Sequence, residues 1–113
     1  MTRYVVPFVL IACHNVNPRA NTIAELEGDA LAGQLTYEVA CQECHGEDGR
    51  GTDRSLHGNK PVDFTTAAHY YRAPVFITFI LDGVDGTDME PWGQLQDQEI
   101  ADVYAHILAL PVE

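Results

Sequence analysis

Hydrophobic positions are spread unevenly along this chain, and only near its C-terminus do they settle into a sustained helical period. Ile100, Val103, Tyr104, Ile107 and Leu108 follow an i, i+3, i+4, i+7, i+8 pattern. That pattern predicts an amphipathic helix from about Asp97 to Leu110, stopped by Pro111. Gln96 stands at its start, where Ser or Thr would cap better. Another helix is expected from Asp29, a good N-cap, to about Cys41, with Gly33 and Tyr37 on one face and Leu31 and Leu35 on neighbouring faces. Glycine inside a helix costs about 1 kcal/mol relative to alanine, so Gly33 implies close approach by a second helix, and the C-terminal one is the natural partner. A short middle helix opens at Pro74 and closes at Asp82-Gly83, with Val75, Phe76, Phe79, Ile80 and Leu81 as its apolar residues.

Between these elements the pattern breaks down. Gly46 to Gly51, with three glycines in six residues, predicts a tight turn that suits backbone lying close to a flat ligand. Residues 52–72 read as irregular loop, and Gly83 to Gly93 as another. From His14 to about Gly28 the chain has Asn15, Asn17, Pro18 and Asn21 but few large apolar residues, which reads as a tether. Before it, Arg3 precedes the apolar run Tyr4 to Ala12, the layout of a secretory signal. That run is too short to span a bilayer as a helix. Leu10-Ile11-Ala12-Cys13 resembles a bacterial lipoprotein box, in which Cys13 would be acylated and become the mature N-terminus. A hydrophobic tail packed on the domain is the plainer alternative. The expected division is a signal and tether over 1–27 and one domain over 28–113.

Length and charge narrow the picture. A chain of 113 residues has room for one small domain with a modest core, and a covalently held apolar cofactor would enlarge that core. Six Lys and Arg stand against seventeen Asp and Glu, for a net charge of −11. Nucleic acid is therefore not an expected partner. Every basic residue lies at or before Arg72, whereas eight acidic residues follow it. Such a field would steer a basic partner, although a merely solubilising surface also explains most of these acids.

The chemistry concentrates in Cys41-Gln42-Glu43-Cys44-His45. Two thiols two residues apart, followed at once by an imidazole, match the attachment site of c-type haem, in which each sulfur bonds one vinyl group and the histidine coordinates iron. A thioredoxin-like redox pair would want a preceding strand, and none is predicted. A structural zinc site would want a second pair of ligands, and Cys13 is the only other cysteine. Leu10 stands where Cys13-His14 would need a partner thiol, so a second haem site is rejected.

A sixth iron ligand must come from elsewhere. Met89 lies in a loop stiffened by Pro91, and Met1 is the only other methionine. A loop methionine is a better ligand candidate than one on a helical stripe, which usually fills a core. His57 and His69, in the long loop, compete with it. His106 is expected to face solvent from the last helix.

Cys41 to Gly46, Gly49-Arg50-Gly51, Lys60-Pro61-Val62-Asp63-Phe64, Gly86 to Trp92 and the closing amphipathic helix together resemble a small class I bacterial cytochrome c, over residues 28 to 111. The resemblance implies an all-α fold of three or four helices around one covalent haem c, with the first and last helices crossing near Gly33 and Tyr104. It implies thioethers at Cys41 and Cys44, a proximal His45 and a distal Met89. It departs from the family at Glu90, where proline often follows the ligand methionine. The ring of His45 would be oriented by a backbone carbonyl of Asn59-Lys60-Pro61, and Trp92, Tyr71 and Arg72 are candidates for contacting the propionates. Filled axial positions suit one-electron exchange with redox proteins, as a shuttle or as a subunit of a membrane complex in a respiratory or similar chain. The alternative is a haem enzyme or a gas or peroxide sensor in which Met89 dissociates. Thioether haem attachment in bacteria takes place outside the cytoplasm, which agrees with an exported chain lipid-anchored in the periplasm or on the outer face of the cytoplasmic membrane.

Overall fold

The computed structural model describes residues 15–52 and 60–112. Six helices and no strands occur among them: α1 Pro18–Ala24, α2 Ala30–Ala40, α3 Gln42–His45, α4 Phe64–Tyr70, α5 Ala73–Asp82 and α6 Asp97–Leu108. The all-α expectation holds. None of these helices is long and apolar enough to cross a membrane.

The frame is the pairing of α2 with α6. Asp29 caps α2, its carboxylate accepting from the Leu31 and Ala32 N–H groups at 3.0 and 3.3 Å. The cap is tied to α6 by the Asp29 N–H, which donates to Asp102 Oδ1 at 2.8 Å. Gly33 lies against the α6 backbone: a Cβ placed there would sit 2.8 Å from the Val103 nitrogen and inside the contact radius of the Asp102 carbonyl. The close approach inferred from a helical glycine is therefore real, one turn position from the anticipated Tyr104. It lets Tyr37, Ile100, Val103 and Ile107 bury almost completely, each aliphatic side chain worth about 1.5–3 kcal/mol. Leu31, Leu35 and Val39 point the other way and are exposed.

The start of α6 is better capped than Gln96 suggested, because Glu99 reaches back and accepts from the Gln96 N–H at 2.8 Å. His106 does not simply face solvent. It is half-buried, with its ring 4.8 Å from that of Tyr37, and burial lowers its pKa against a raising effect of Glu38.

Two expectations are corrected. The supposed tether contains α1, whose Ala20 and Ile23 are fully buried. Asn17 and Pro18 looked like loop residues, yet they are the N-cap and first residue of this helix, and the Asn17 side chain accepts from the Arg19 N–H at 2.9 Å. The irregular stretch 52–72 contains α4, capped by Asp63, which accepts from the Thr65 N–H at 2.8 Å and also from its hydroxyl. Phe64, Ala67 and Ala68 of α4 join the core.

Candidate functional site

Helix α2 hands the chain directly to the cysteines. Cys41 closes α2 with its N–H on the Tyr37 carbonyl (2.9 Å), and its own carbonyl accepts from the N–H groups of Cys44 and His45 at 3.3 and 3.0 Å. The single turn α3 thus carries Cys44 and His45, with Cys41 at its head. The backbone then reverses through Gly46, Gly49 and Gly51, all at positive φ. The returning strand of chain lies against the turn: Gly51 N–H donates to the His45 carbonyl at 2.8 Å, and Thr52 N–H to that of Cys44 at 3.0 Å. At Gly51 a side chain is also excluded by space, since a Cβ would lie 2.7 Å from the Pro61 carbonyl oxygen. The Tyr37 hydroxyl donates to the Gly46 carbonyl at 2.6 Å, which pins the start of this turn to the α2–α6 frame.

His45 is 7% exposed. Its Nδ1–H donates to the Val62 carbonyl at 3.3 Å, and its ring stacks on Phe64 with centroids 3.9 Å apart. The orienting carbonyl is thus one residue beyond the Asn59-Lys60-Pro61 segment expected to supply it. Burial lowers the pKa of His45 and keeps the imidazole neutral, with Nε2 as the nitrogen left to bind a metal. Pro61 is half-buried beside it, against Gly51.

Cys41 and Cys44 are free thiols, both half-buried. Burial pushes the Cys41 thiol up to about 11, with Cys44 adding to the effect. That is opposite to the lowered value of an activated thiol, so Cys41 gives the redox-pair alternative no support. Among the described residues no three His, Cys, Asp or Glu side chains cluster as metal ligands. Two unbridged thiols on one turn beside a fixed imidazole are the side chains that a c-type haem takes.

Met89 lies at the far end of α5 and is half-buried. Its N–H donates to Thr87 Oγ1 at 3.1 Å, and its carbonyl accepts from the Val84 N–H at 3.2 Å. Gly83, at positive φ, lets the 89–91 backbone pack on the end of α5, and the Trp92 N–H donates to the Ile80 carbonyl at 2.9 Å. Helix α5 links the two halves of the site. Its Phe76 contacts Phe64 edge-on at 5.6 Å, and one turn later Ile80 holds Trp92. Trp92 and Tyr71 pack partly buried on the core, whereas Arg72 is exposed at the head of α5. His69 is exposed on α4, and His57 and Cys13 lie outside the described residues. The Val62 carbonyl and the Phe64 stack were not foreseen. Both are placed by the Asp63 cap of α4, a helix that the loop reading of 52–72 missed.

All-helical over its described residues, and with Cys-x-x-Cys-His on the turn that follows α2 of the glycine-crossed α2–α6 pair, the chain has the make-up of a c-type cytochrome domain. It belongs to the family described as cytochrome c oxidase, cbb3-type, subunit III, which matches residues 28–107. Comparison with curated proteins gives no match. Membership supports haem-based electron transfer, and an electron carrier rather than an enzyme. Helix α1 falls before the matched range.

Proposed function

We propose that this protein carries single electrons on one haem c, bonded through thioethers to Cys41 and Cys44 and ligated by His45 Nε2 and the Met89 sulfur. His45 and Met89 would hold the iron of that group, which would supply one-electron chemistry at a potential raised by the thioether ligand relative to bis-histidine ligation. The observation that carries the reading is the fixed His45: its Nδ1–H bond to Val62 and its Phe64 stack set both tautomer and ring plane. Tyr37 and Gly51 hold the backbone on either side of the Cys41–His45 turn. Buried Phe64 and Phe76 and the partly buried Trp92 line the way from that turn to the Met89 loop and would keep it apolar. Trp92, Tyr71 and Arg72 would meet the propionates.

The donor and acceptor are redox proteins, basic at the docking surface, in a respiratory or similar membrane-associated chain. The family description supports a place as a subunit of an oxidase complex, and a free shuttle is the other form of the same role. Acylation at Cys13 would tether the domain to the periplasmic side of a membrane.

Acid–acetone extraction and optical spectra test this reading. The wild type is expected to keep its haem on the polypeptide and to show the far-red band of Met–Fe(III) ligation, and Cys41→Ala or Cys44→Ala should greatly reduce holoprotein. Haem that extracts freely from the wild type defeats the covalent assignment. A high-spin ferric spectrum favours the enzyme or sensor alternative.

A further inference from the structure

The Met89 loop leaves α5 at Gly83 and enters α6 at Asp97, and its own bonds to α5 act only on its first part, up to Trp92. The exit from the loop is held by a residue from outside the family match. Arg19 of α1 places each of its three guanidinium nitrogens on a different acceptor: Nε on Asp97 Oδ1 at 2.6 Å, Nη1 on the Gly93 carbonyl at 2.6 Å, and Nη2 on the Leu95 carbonyl at 2.5 Å. One planar group therefore joins the loop exit to the first turn of α6.

The clamp has a firm base. Ala20 and Ile23 bury α1 in the core. Asn17 fixes its head to α5, through its N–H on Thr78 Oγ1 at 3.0 Å and its side-chain amide on Asp82 at 2.9 Å. Arg19 thus ties the loop exit back to the α1–α5 pair from which the loop departs at Gly83. Without it the Gly93 and Leu95 carbonyls lose their guanidinium partner, and the chain four residues beyond Met89 is freed. Lysine, a point charge without the planar fork, cannot serve all three acceptors.

We infer that Arg19 is a positioning residue for the distal ligand: by fixing the loop at Gly93 and Leu95 it keeps Met89 on the iron. The inference rests on the Met89 ligation proposed above. Loosening the loop raises the fraction of molecules in which Met89 is off, and an external ligand reads that fraction directly as a tighter apparent dissociation constant.

The test is titration of the ferric holoprotein with imidazole, followed by loss of the far-red band. Arg19→Ala is expected to bind imidazole about tenfold more tightly than wild type, as charge-assisted hydrogen bonds at a partly exposed site allow. Arg19→Lys, which keeps the charge beside Asp97 and the fold, should fall between the two. Val103→Ala, buried in the α2–α6 crossing six residues beyond the loop exit, serves as the control for general destabilisation and should change the affinity less than twofold. The inference is overturned if the Arg19 variants bind as wild type does, or if Val103→Ala shifts the affinity as far as Arg19→Ala. Met89→Ala separates the two layers. If it abolishes the band while the Arg19 variants leave affinity unchanged, the clamp alone is refuted. If the wild type lacks the band and Met89→Ala changes nothing, the ligation reading fails and the clamp with it.

Discussion

Gly33→Ala reverses the usual sign of its substitution type. In an unencumbered helix, replacing glycine by alanine stabilises by up to about 1 kcal/mol. Here the new methyl would lie 2.8 Å from the Val103 nitrogen and closer still to the Asp102 carbonyl, neither of which can rotate away because both are backbone. Ordinary contact needs roughly 3.5 Å, so α2 and α6 must separate and loosen the burial of Tyr37, Ile100, Val103 and Ile107. Overpacking of this kind costs about 1–3 kcal/mol or more. Because the clash is with backbone and lies far inside contact, the upper end of about 3 kcal/mol applies; set against a propensity gain of about 1 kcal/mol, the net loss is about 2 kcal/mol, or a fall of roughly 8–15 °C in Tm for a domain of this size. Thermal unfolding of the holoprotein by circular dichroism measures it. Leu35→Ala, on the outward face of α2 at 67% exposure, should change stability by less than about 0.5 kcal/mol. A Gly33→Ala protein melting at or above wild type would refute the backbone crossing.

Burial raises the Tyr37 phenol well above its ordinary value, so above about pH 10 the unfolded chain releases a proton that the folded chain keeps. Stability should fall there by up to about 1.4 kcal/mol per pH unit, and Tyr37→Phe should flatten the slope in urea titrations, with Tyr104, also raised by burial, supplying the remainder; equal slopes would contradict this. Asp85, Asp88 and Glu90 flank Met89, and neutralising all three should slow electron transfer to a basic partner at low salt and weaken the salt dependence, which a stopped-flow series checks. A wild-type rate independent of ionic strength would favour a fixed subunit instead. Mass spectrometry of protein from its native host should show loss of Met1 to Ala12 and an acyl-glyceryl group on Cys13, and an unmodified Met1 terminus would restore the hydrophobic-tail alternative.

What could be read from the sequence was local. Cys41, Cys44 and His45 fall within five residues, the α6 stripe runs for two turns, and Asp29 and Gly33 each carry a single physical meaning. The misses have a common cause. Helices α1 and α4 are seven residues each, too short for a period to emerge, and their start signals (Asn17-Pro18 and Asp63) also occur in loops. The Val62 carbonyl and the Arg19 fork could not be found by pattern at all. A backbone oxygen carries no residue signature, and Arg19 meets acceptors more than 70 residues away.

The α2–α6 crossing also sets an order of events in the life of the chain. Gly33 and Asp102 are separated by roughly 70 residues, so closing them is a late, long-range step of the kind that slows folding. The crossing cannot form until α6 has left the ribosome. Through that interval the Tyr37 anchor, which depends on the crossing for its burial, is not in place beneath the cysteines. Until then Cys41 and Cys44 sit on a turn that is not yet pinned, and the glycine that packs the finished protein also schedules when that turn becomes fixed.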